Sequence, residues 1–257
     1  MQDYLIKNNL LNIAQHGFLP GRSTSTNLLH TFNDWSIYLE VSKNIDCIYI
    51  DLSKAFDVIS HSKLLSKLPA YGFSQLTINW LYSFLNNRSM SVSIAGAKSD
   101  ASPCLSGVPQ GSVLGPLLYI LYTNDLPDVV SHAKIVMYAD DIKLYLPVTT
   151  IADHNLLQYD LNKVAAWFSL WQLKPNPAKC VVLQLKNSII LLPYLLNNTE
   201  LKFVDHVKDL GIIVSKNLNF STHCNSIVAK AYFRTHLILK SFTSRDPVDR
   251  KSTRLNS

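Results

Sequence analysis

Nowhere in this chain do apolar residues run on for the roughly 18–20 positions that a membrane-spanning helix needs. The longest candidate runs are interrupted by Pro116 and Pro193. The amino terminus, MQDYLIKNNLLNIAQHGF, lacks the charged-then-apolar layout of a secretory signal. These absences lead us to expect a soluble, intracellular protein with no membrane partner. Cysteine is sparse as well. Cys47, Cys104, Cys180 and Cys224 form no CxxC pair and have no histidine at ligand spacing, which favours free thiols over a disulfide framework or structural zinc. His223 beside Cys224 is a lone pair on an expected helix, a poor metal site. Charge is scarce too: Asp, Glu, Lys and Arg make up 16% of the chain. With 47% hydrophobic residues over 257 positions, that composition excludes general disorder and is ample for a core.

The net charge of +6 is a mild basic excess, compatible with a nucleic-acid partner without demanding one. Part of it lies in the closing DRKSTRLNS, Asp249–Ser257, which reads as the translation of an adapter oligonucleotide. The stretch 247–257 is therefore expected to be a non-native tail, outside the fold.

No internal repeat or low-complexity segment stands out. Leu28, Phe32, Trp35 and Leu39 recur at helical spacing, with Ser23, Ser25 or Thr26 available as the cap. DCIYIDL (46–52) predicts a strand with Cys47, Tyr49 and Asp51 on one face and Ile48 and Ile50 on the other. Helices are expected over 53–68 and 77–88, followed by a short strand in SVSIAG. SGVPQGSVLGPLLYILYTNDL (106–126) reads as a glycine-rich loop entering a nearly all-apolar helix, with Pro116 in its first turn. KIVMYADDIKLYL (134–146) predicts a hairpin whose turn carries Asp140 and Asp141 without the Gly or Asn that eases a tight turn. Leu157, Leu161, Val164, Phe168 and Trp171 mark an amphipathic helix. Short strands then continue from CVVLQL to about Val214, and a last helical run spans about 222–242. This order predicts an α+β fold, a sheet with helices packed mainly on one face.

Asp51 ends one predicted strand, while Asp140 and Asp141 sit at the tip of another hairpin. If those strands pair centrally, three carboxylates meet at one rim, an arrangement that repels itself unless a divalent cation neutralises it. Mg²⁺ commonly takes one or two carboxylates plus substrate phosphates, so the chemistry suggested is metal-assisted phosphoryl transfer. Taken alone, a paired aspartate in a turn is ordinarily just solvated, and a strand ending in Asp is often only a turn residue or cap.

IYIDLSKAFDVISH, SGVPQGSVLGP and YADD, in that order, resemble the reverse transcriptases of non-LTR (LINE-type) retrotransposons, from about residue 1 to 242. The resemblance implies a polymerase right-hand palm, an antiparallel sheet with helices packed on one face, with partial fingers over 1–215 and the start of a thumb over 216–246. It implies an RNA-directed DNA polymerase that uses an RNA template, a DNA primer, dNTPs and two Mg²⁺ ions, with Mn²⁺ a possible substitute. Nuclear localisation would be in keeping with the group. Asp51 and Asp140 would be the principal metal ligands, with Asp141 assisting and the Leu52 carbonyl facing a metal. Phe56, five residues past Asp51, would exclude the sugar 2′-hydroxyl of ribonucleotides. Gln110 would lie beside the incoming nucleotide and template, and Gly107 and Gly111 would admit nucleic acid close to the backbone. Tyr138 would sit beneath the primer end.

LKPNPAKC, with Leu173, Asn176 and Lys179 at matching places, makes Lys179 a candidate acid for the departing pyrophosphate. Arg22, in GFLPGRST, would contact template or phosphate. VKDLGI (207–212) resembles the hairpin that grips the primer, but carries Asp209 where an aromatic is common. Upstream fingers, a full thumb and an endonuclease domain are expected to be missing. A catalytically incompetent, nucleic-acid-binding remnant of such an element is therefore the second reading. An unrelated Mg²⁺ phosphatase or nuclease is a third, although it leaves PQG and Phe56 unexplained.

Overall fold

The computed structural model describes residues 1–41, 44–186, 190 and 192–241. The tail expected to be non-native, from 247 on, lies outside the described residues. The chain divides into two compact units, Met1–Asp205 and His206 onward.

The first unit opens with α1 (Gln2–Lys7), α2 (Thr24–Glu40) and β1 (Ile45–Ile50). Of the three candidate caps, Ser23 is the one used. Its Oγ accepts from the Thr26 amide at 3.2 Å, and Thr26 Oγ1 accepts from the Ser23 amide at 2.8 Å, a reciprocal capping box. Then come α3 (His61–Lys67), α4 (Gln75–Leu85), and four two-residue strands, β2 (Ser89–Met90), β3 (Ser93–Ile94), β4 (Ala97–Lys98) and β5 (Ser102–Pro103). These pair as β2 with β5 and β3 with β4, so the single strand expected in SVSIAG is one arm of a pair of small ribbons. After α5 (Gly115–Thr123) follow β6 (Lys134–Tyr138), β7 (Asp141–Pro147), α6 (Ile151–Leu170), β8 (Val181–Leu185), β9 (Leu195–Leu196), β10 (Thr199–Glu200) and β11 (Lys202–Val204).

The main sheet has the order β11-β8-β1-β7-β6. β1 is its centre and pairs antiparallel with both β7 and β8; only β11, against β8, is parallel. Strand alternation sorts the side chains. Ile48, Ile50, Ile135, Met137, Ile142 and Leu144 face a core shared with Leu118 and Tyr119 of α5 and Leu157, Leu161 and Val164 of α6. The opposite face carries α2: Trp35 meets Tyr145 edge-on, Tyr145 Oη donates to Asp34 at 2.6 Å, and Lys143 Nζ donates to Asn27 Oδ1 at 2.6 Å. Helices therefore cluster on one face, with α2 alone on the other. Every residue from Leu117 to Thr123 of α5 is buried, as a helix apolar all round requires. Each fully buried Leu or Ile there contributes about 1.5–3 kcal/mol.

Residues 53–59 are not helical. The expected helix over 53–68 reduces to α3 and a 3₁₀ turn, Leu68–Tyr71. Tertiary pairing is the reason. The amides of Gly107 and Val108 donate to the carbonyls of Ile59 (2.8 Å) and Phe56 (2.9 Å), and Ser106 Oγ donates to the Asp57 carbonyl at 2.8 Å. Those carbonyls are held by the SGVPQG loop rather than by a helix's own amides, and Lys54 turns the chain with φ +50°.

The second unit contains a hairpin of β12 (His206–Asp209) and β13 (Ile212–Ser215), then α7 (Ser221–Ser241). Leu210 and Gly211 make its turn with φ +45° and +94°. Among the described residues no helix is long and apolar enough to cross a membrane.

Candidate active site

Asp51 follows the last residue of β1, and Asp140 precedes the first residue of β7. The register pairs Ile50 with Ile142, so Asp51 and Asp141 lie one step beyond that pair at the same end of adjacent strands. Asp140 is pushed above the usual carboxylate range, chiefly by burial and further by the charge of Asp51; a bond from its own amide works the other way. Two carboxylates thus stand at one rim. Lys179 Nζ stands 3.7 Å from Asp51 Oδ2, with both side chains open to solvent.

The backbone of Asp51 is pinned from the LKPNPAKC loop. Its carbonyl accepts from the Asn176 amide at 2.8 Å, the Ser53 amide donates to the Lys174 carbonyl at 2.9 Å, and Leu52 bridges to Pro175. The buried Cys180 thiol lies 3.4 Å from the Asp51 amide; burial, above all, raises its pKa. The loop therefore fixes where the carboxylate starts, a role for Cys180 that its sequence context did not signal.

Across the site, Phe56 is half-buried and its ring stacks on Tyr119 at 4.3 Å between centroids and 18° between planes. Phe18 meets Phe56 edge-on at 6.0 Å. Tyr119 is wholly buried, and its hydroxyl has no hydrogen-bond partner among the described residues. Its pKa lies well above normal, from burial first and then from the charges of Asp140 and Asp141. An aromatic wall thus runs from Phe18 through Phe56 to a tyrosine beside the carboxylates. Neither Phe18 nor Tyr119 was singled out from sequence; Tyr119 was hidden within an all-apolar helix.

Gln110 Nε2 donates to Asp57 Oδ1 at 2.8 Å, which ties the PQG loop to the segment after Asp51. Gly107 and Gly111 differ. A Cβ at Gly107 would stand 2.7–2.9 Å from backbone atoms of Asp57, whereas one at Gly111 would meet nothing within 4 Å. Gly107 is thus required by the protein's own packing. Gly111 adjoins open space. Arg22 sends Nη1 to the carbonyls of Ile13 (2.6 Å) and Gln15 (2.5 Å), bracing the loop before α2. Tyr138 is half-buried and pairs with Asp141 across the turn.

Among the described residues no three His, Cys, Asp or Glu side chains form a ready metal cluster. The donor set still fits a hard divalent cation. Asp51 and Asp140 supply two carboxylates at one end of adjacent strands, Leu52 supplies a neighbouring carbonyl, and Mg²⁺ commonly draws its remaining ligands from water and substrate phosphate.

Residues 1–214 match the family described as reverse transcriptase (RNA-dependent DNA polymerase). A probable RNA-directed DNA polymerase from transposon BS of Drosophila melanogaster is 32% identical, over 91% of this chain and 27% of that protein. The RNA-directed DNA polymerase from mobile element jockey of Drosophila funebris is 31% identical, over 87% of this chain and 25% of the relative. The chain thus spans about a quarter of the length of these relatives. Among solved structures, apo telomerase from Candida tropicalis, truncated from its C-terminal domain, superposes with a TM-score of 0.57 at 11% identity, covering 85% of this chain and 42% of that one. Telomerase from Candida albicans, in complex with a fragment of telomeric RNA, gives 0.54 at 16% identity, covering 86% and 39%. At such identities the likeness is one of fold.

Proposed function

Because this chain belongs to the reverse transcriptase (RNA-dependent DNA polymerase) family, with polymerases of non-LTR retrotransposons as relatives, we propose that it extends a DNA primer on an RNA template by two-metal nucleotidyl transfer. The observation that carries this reading is the placement of Asp51 and Asp140 at the shared end of the paired strands β1 and β7. Reverse transcriptases generally use divalent metal ions. When bound, two Mg²⁺ ions, or Mn²⁺ in their place, would lower the pKa of the primer 3′-hydroxyl and neutralise the triphosphate.

The chain's own residues would do the rest. Asp51 and Asp140 hold the cations, with the Leu52 carbonyl and Asp141 assisting. Phe56, backed by Tyr119, closes the space that a ribose 2′-hydroxyl would need. Gln110 flanks the nucleotide and template, with Gly111 leaving the backbone beside it open. Tyr138 supports the primer end, and Arg22, whose Nη1 also braces the upstream loop, contacts template or phosphate. Lys179, already beside Asp51, supplies a proton to the departing pyrophosphate.

A primer-extension assay with RNA template, DNA primer, dNTPs and Mg²⁺ tests the proposal. Extension that is lost in Asp140→Ala supports it, and undiminished extension by that variant refutes the metal assignment. Binding of hybrid duplex without extension, with extension restored on adding the upstream fingers, would instead identify a nucleic-acid-binding remnant. Hydrolysis of phosphoesters without dNTPs would point to the phosphatase or nuclease reading.

A further inference from the structure

The turn that delivers Asp140 is built on an unfavourable residue. Tyr138 pairs with Asp141, leaving Ala139 and Asp140 as the two central positions of the turn. Ala139 has φ +55°, a region L-residues other than Asn and Asp rarely enter; Asp140 does not share it. Glycine is the usual residue at the first position of such a turn, and here there is none. Something outside the turn must hold it.

Gln15 touches both peptide groups that flank the Ala139 Cα. Its Oε1 accepts from the Ala139 amide at 2.9 Å, and its Nε2 faces the Ala139 carbonyl at 3.5 Å. The same Oε1 accepts from the Gly17 amide at 2.7 Å, which fixes the side chain from its own segment. Gln15 is 1% exposed. Its segment lies along the edge of β6: the His16 amide donates to the Met137 carbonyl and the Met137 amide to the Ala14 carbonyl, each at 2.8 Å. Gly17 is fitted to the turn as well, since a Cβ there would stand 2.5 Å from the Ala139 nitrogen. The segment is thus moulded to this turn at Gln15 and Gly17, and His16 between them is tied to the strand that enters it.

We propose that Gln15 is a positioning residue for the metal-binding carboxylate Asp140, acting by clamping Ala139 on both sides of its Cα. The inference rests on the reading of Asp51 and Asp140 as cation ligands. Bonds to the preceding amide and the following carbonyl constrain φ and ψ together, and so set the direction in which the next residue leaves the turn.

The test is a Mn²⁺ titration of the full chain followed by electron paramagnetic resonance, with thermal unfolding of each protein alongside. The parent is compared with Asp140→Asn, Gln15→Met, Ala139→Gly and the double variant Gln15→Met/Ala139→Gly. Gln15→Met, similar in size but without the amide, is expected to weaken Mn²⁺ binding about tenfold. Ala139→Gly removes the steric objection to positive φ, so adding Gln15→Met to it should change affinity by no more than about twofold. A merely structural glutamine would give no such rescue. Equal binding by the parent and Asp140→Asn would refute the cation reading and the inference with it. Loss in Asp140→Asn together with parent-like binding by Gln15→Met would overturn the inference alone, as would an equal Gln15→Met penalty in both backgrounds. Should Gln15→Met unfold the chain, folding rescued by Ala139→Gly supports the clamp, and unfolding in both backgrounds overturns it.

Discussion

Gly107 and Gly111 sit four residues apart in one loop, and both hold positive φ, +81° and +77°. Alanine at either position must adopt a left-handed backbone, at a cost of about 1–2 kcal/mol. For Gly111→Ala that is the whole expected penalty, because the new methyl enters open space. Gly107→Ala has a second penalty. Its Cβ would stand 2.7 Å from the Asp57 carbonyl oxygen and 2.8 Å from the Asp57 Cα, both backbone atoms that no rotamer change can clear. Relief requires moving the 53–59 segment away from the loop, against the bonds at Phe56, Asp57 and Ile59. Overpacking of this kind adds about 1–3 kcal/mol, for a total of about 2–5 kcal/mol. At this chain length each kcal/mol corresponds to roughly 2–4 °C in Tm, so thermal unfolding resolves the two variants. Gly107→Ala should melt clearly below Gly111→Ala. Equal melting temperatures would refute the claim that the SGVPQG loop is keyed to the segment behind Asp51.

Four further outcomes follow from the same structure. Lys67 is buried against Trp171, 3.6 Å from the ring centroid, and bonds the Tyr122 carbonyl and Asp125. Lys67→Met should cost no more than about 1 kcal/mol in denaturant unfolding, or even stabilise, because it removes a desolvated charge. Asp125→Ala strands the ammonium and should cost about 1–3 kcal/mol; the reverse ranking would contradict the assignment. Burial lowers the Lys67 pKa from 10.5, despite Asp125 opposing it. On this group the unfolded chain therefore holds more protons between the lowered value and 10.5, so the Lys67 contribution to stability rises with pH through that window; the buried tyrosines act oppositely, so it is the stability of the parent relative to Lys67→Met that should rise. If primer extension is observed, Phe56→Val should relax discrimination against ribonucleotides by about 10–200-fold, read as the ratio of kcat/KM for dNTP and rNTP. Unchanged discrimination would remove Phe56 from the specificity wall. Finally, iodoacetamide at neutral pH should label the exposed Cys224 first, with Cys47 and Cys180 protected until unfolding. Burial raises the Cys180 thiol and leaves it little thiolate, so labelling of Cys180 as fast as Cys224 would contradict its packing beside Asp51.

What local pattern governs was readable in advance. The alternation in 46–52, the caps available before α2 and the apolar spacing of α6 all reflect neighbours within a few residues, and each gave the right element. The meeting of Asp51 with Asp140 was conditional on central pairing, which the β1–β7 register supplies. The failures share a cause of another kind. DLSKAFD has the composition of a helix, yet its carbonyls are claimed by a loop about fifty residues later. Gln15 has no local mark of importance; its partner, Ala139, is 124 residues away. Stacking of Phe56 on Tyr119 joins two segments that each look like ordinary core. Distant pairing overrides local propensity at these places, and they surround the candidate site.

β1, β7 and β8 lie side by side, with β1 antiparallel to both neighbours. The end of β1 and the beginnings of β7 and β8 therefore emerge together, carrying Asp51, Asp140 and Lys179. Their opposite ends face away, where β7 gives way to the Pro147–Thr150 link into α6. The two rims of the sheet therefore differ in content. The far one, at 148–150, holds the buried Val148, whose amide donates to the Asn44 carbonyl at 2.8 Å, and Thr150, which caps α6; none of the three groups lies there. A residue inserted into the two-residue turn at 139–140, or between Lys179 and β8, shifts a functional group by a full strand position and turns the following side chains to the other face. A change of length at the near rim therefore acts on the chemistry directly, whereas one at the far rim acts first on the core and the cap of α6.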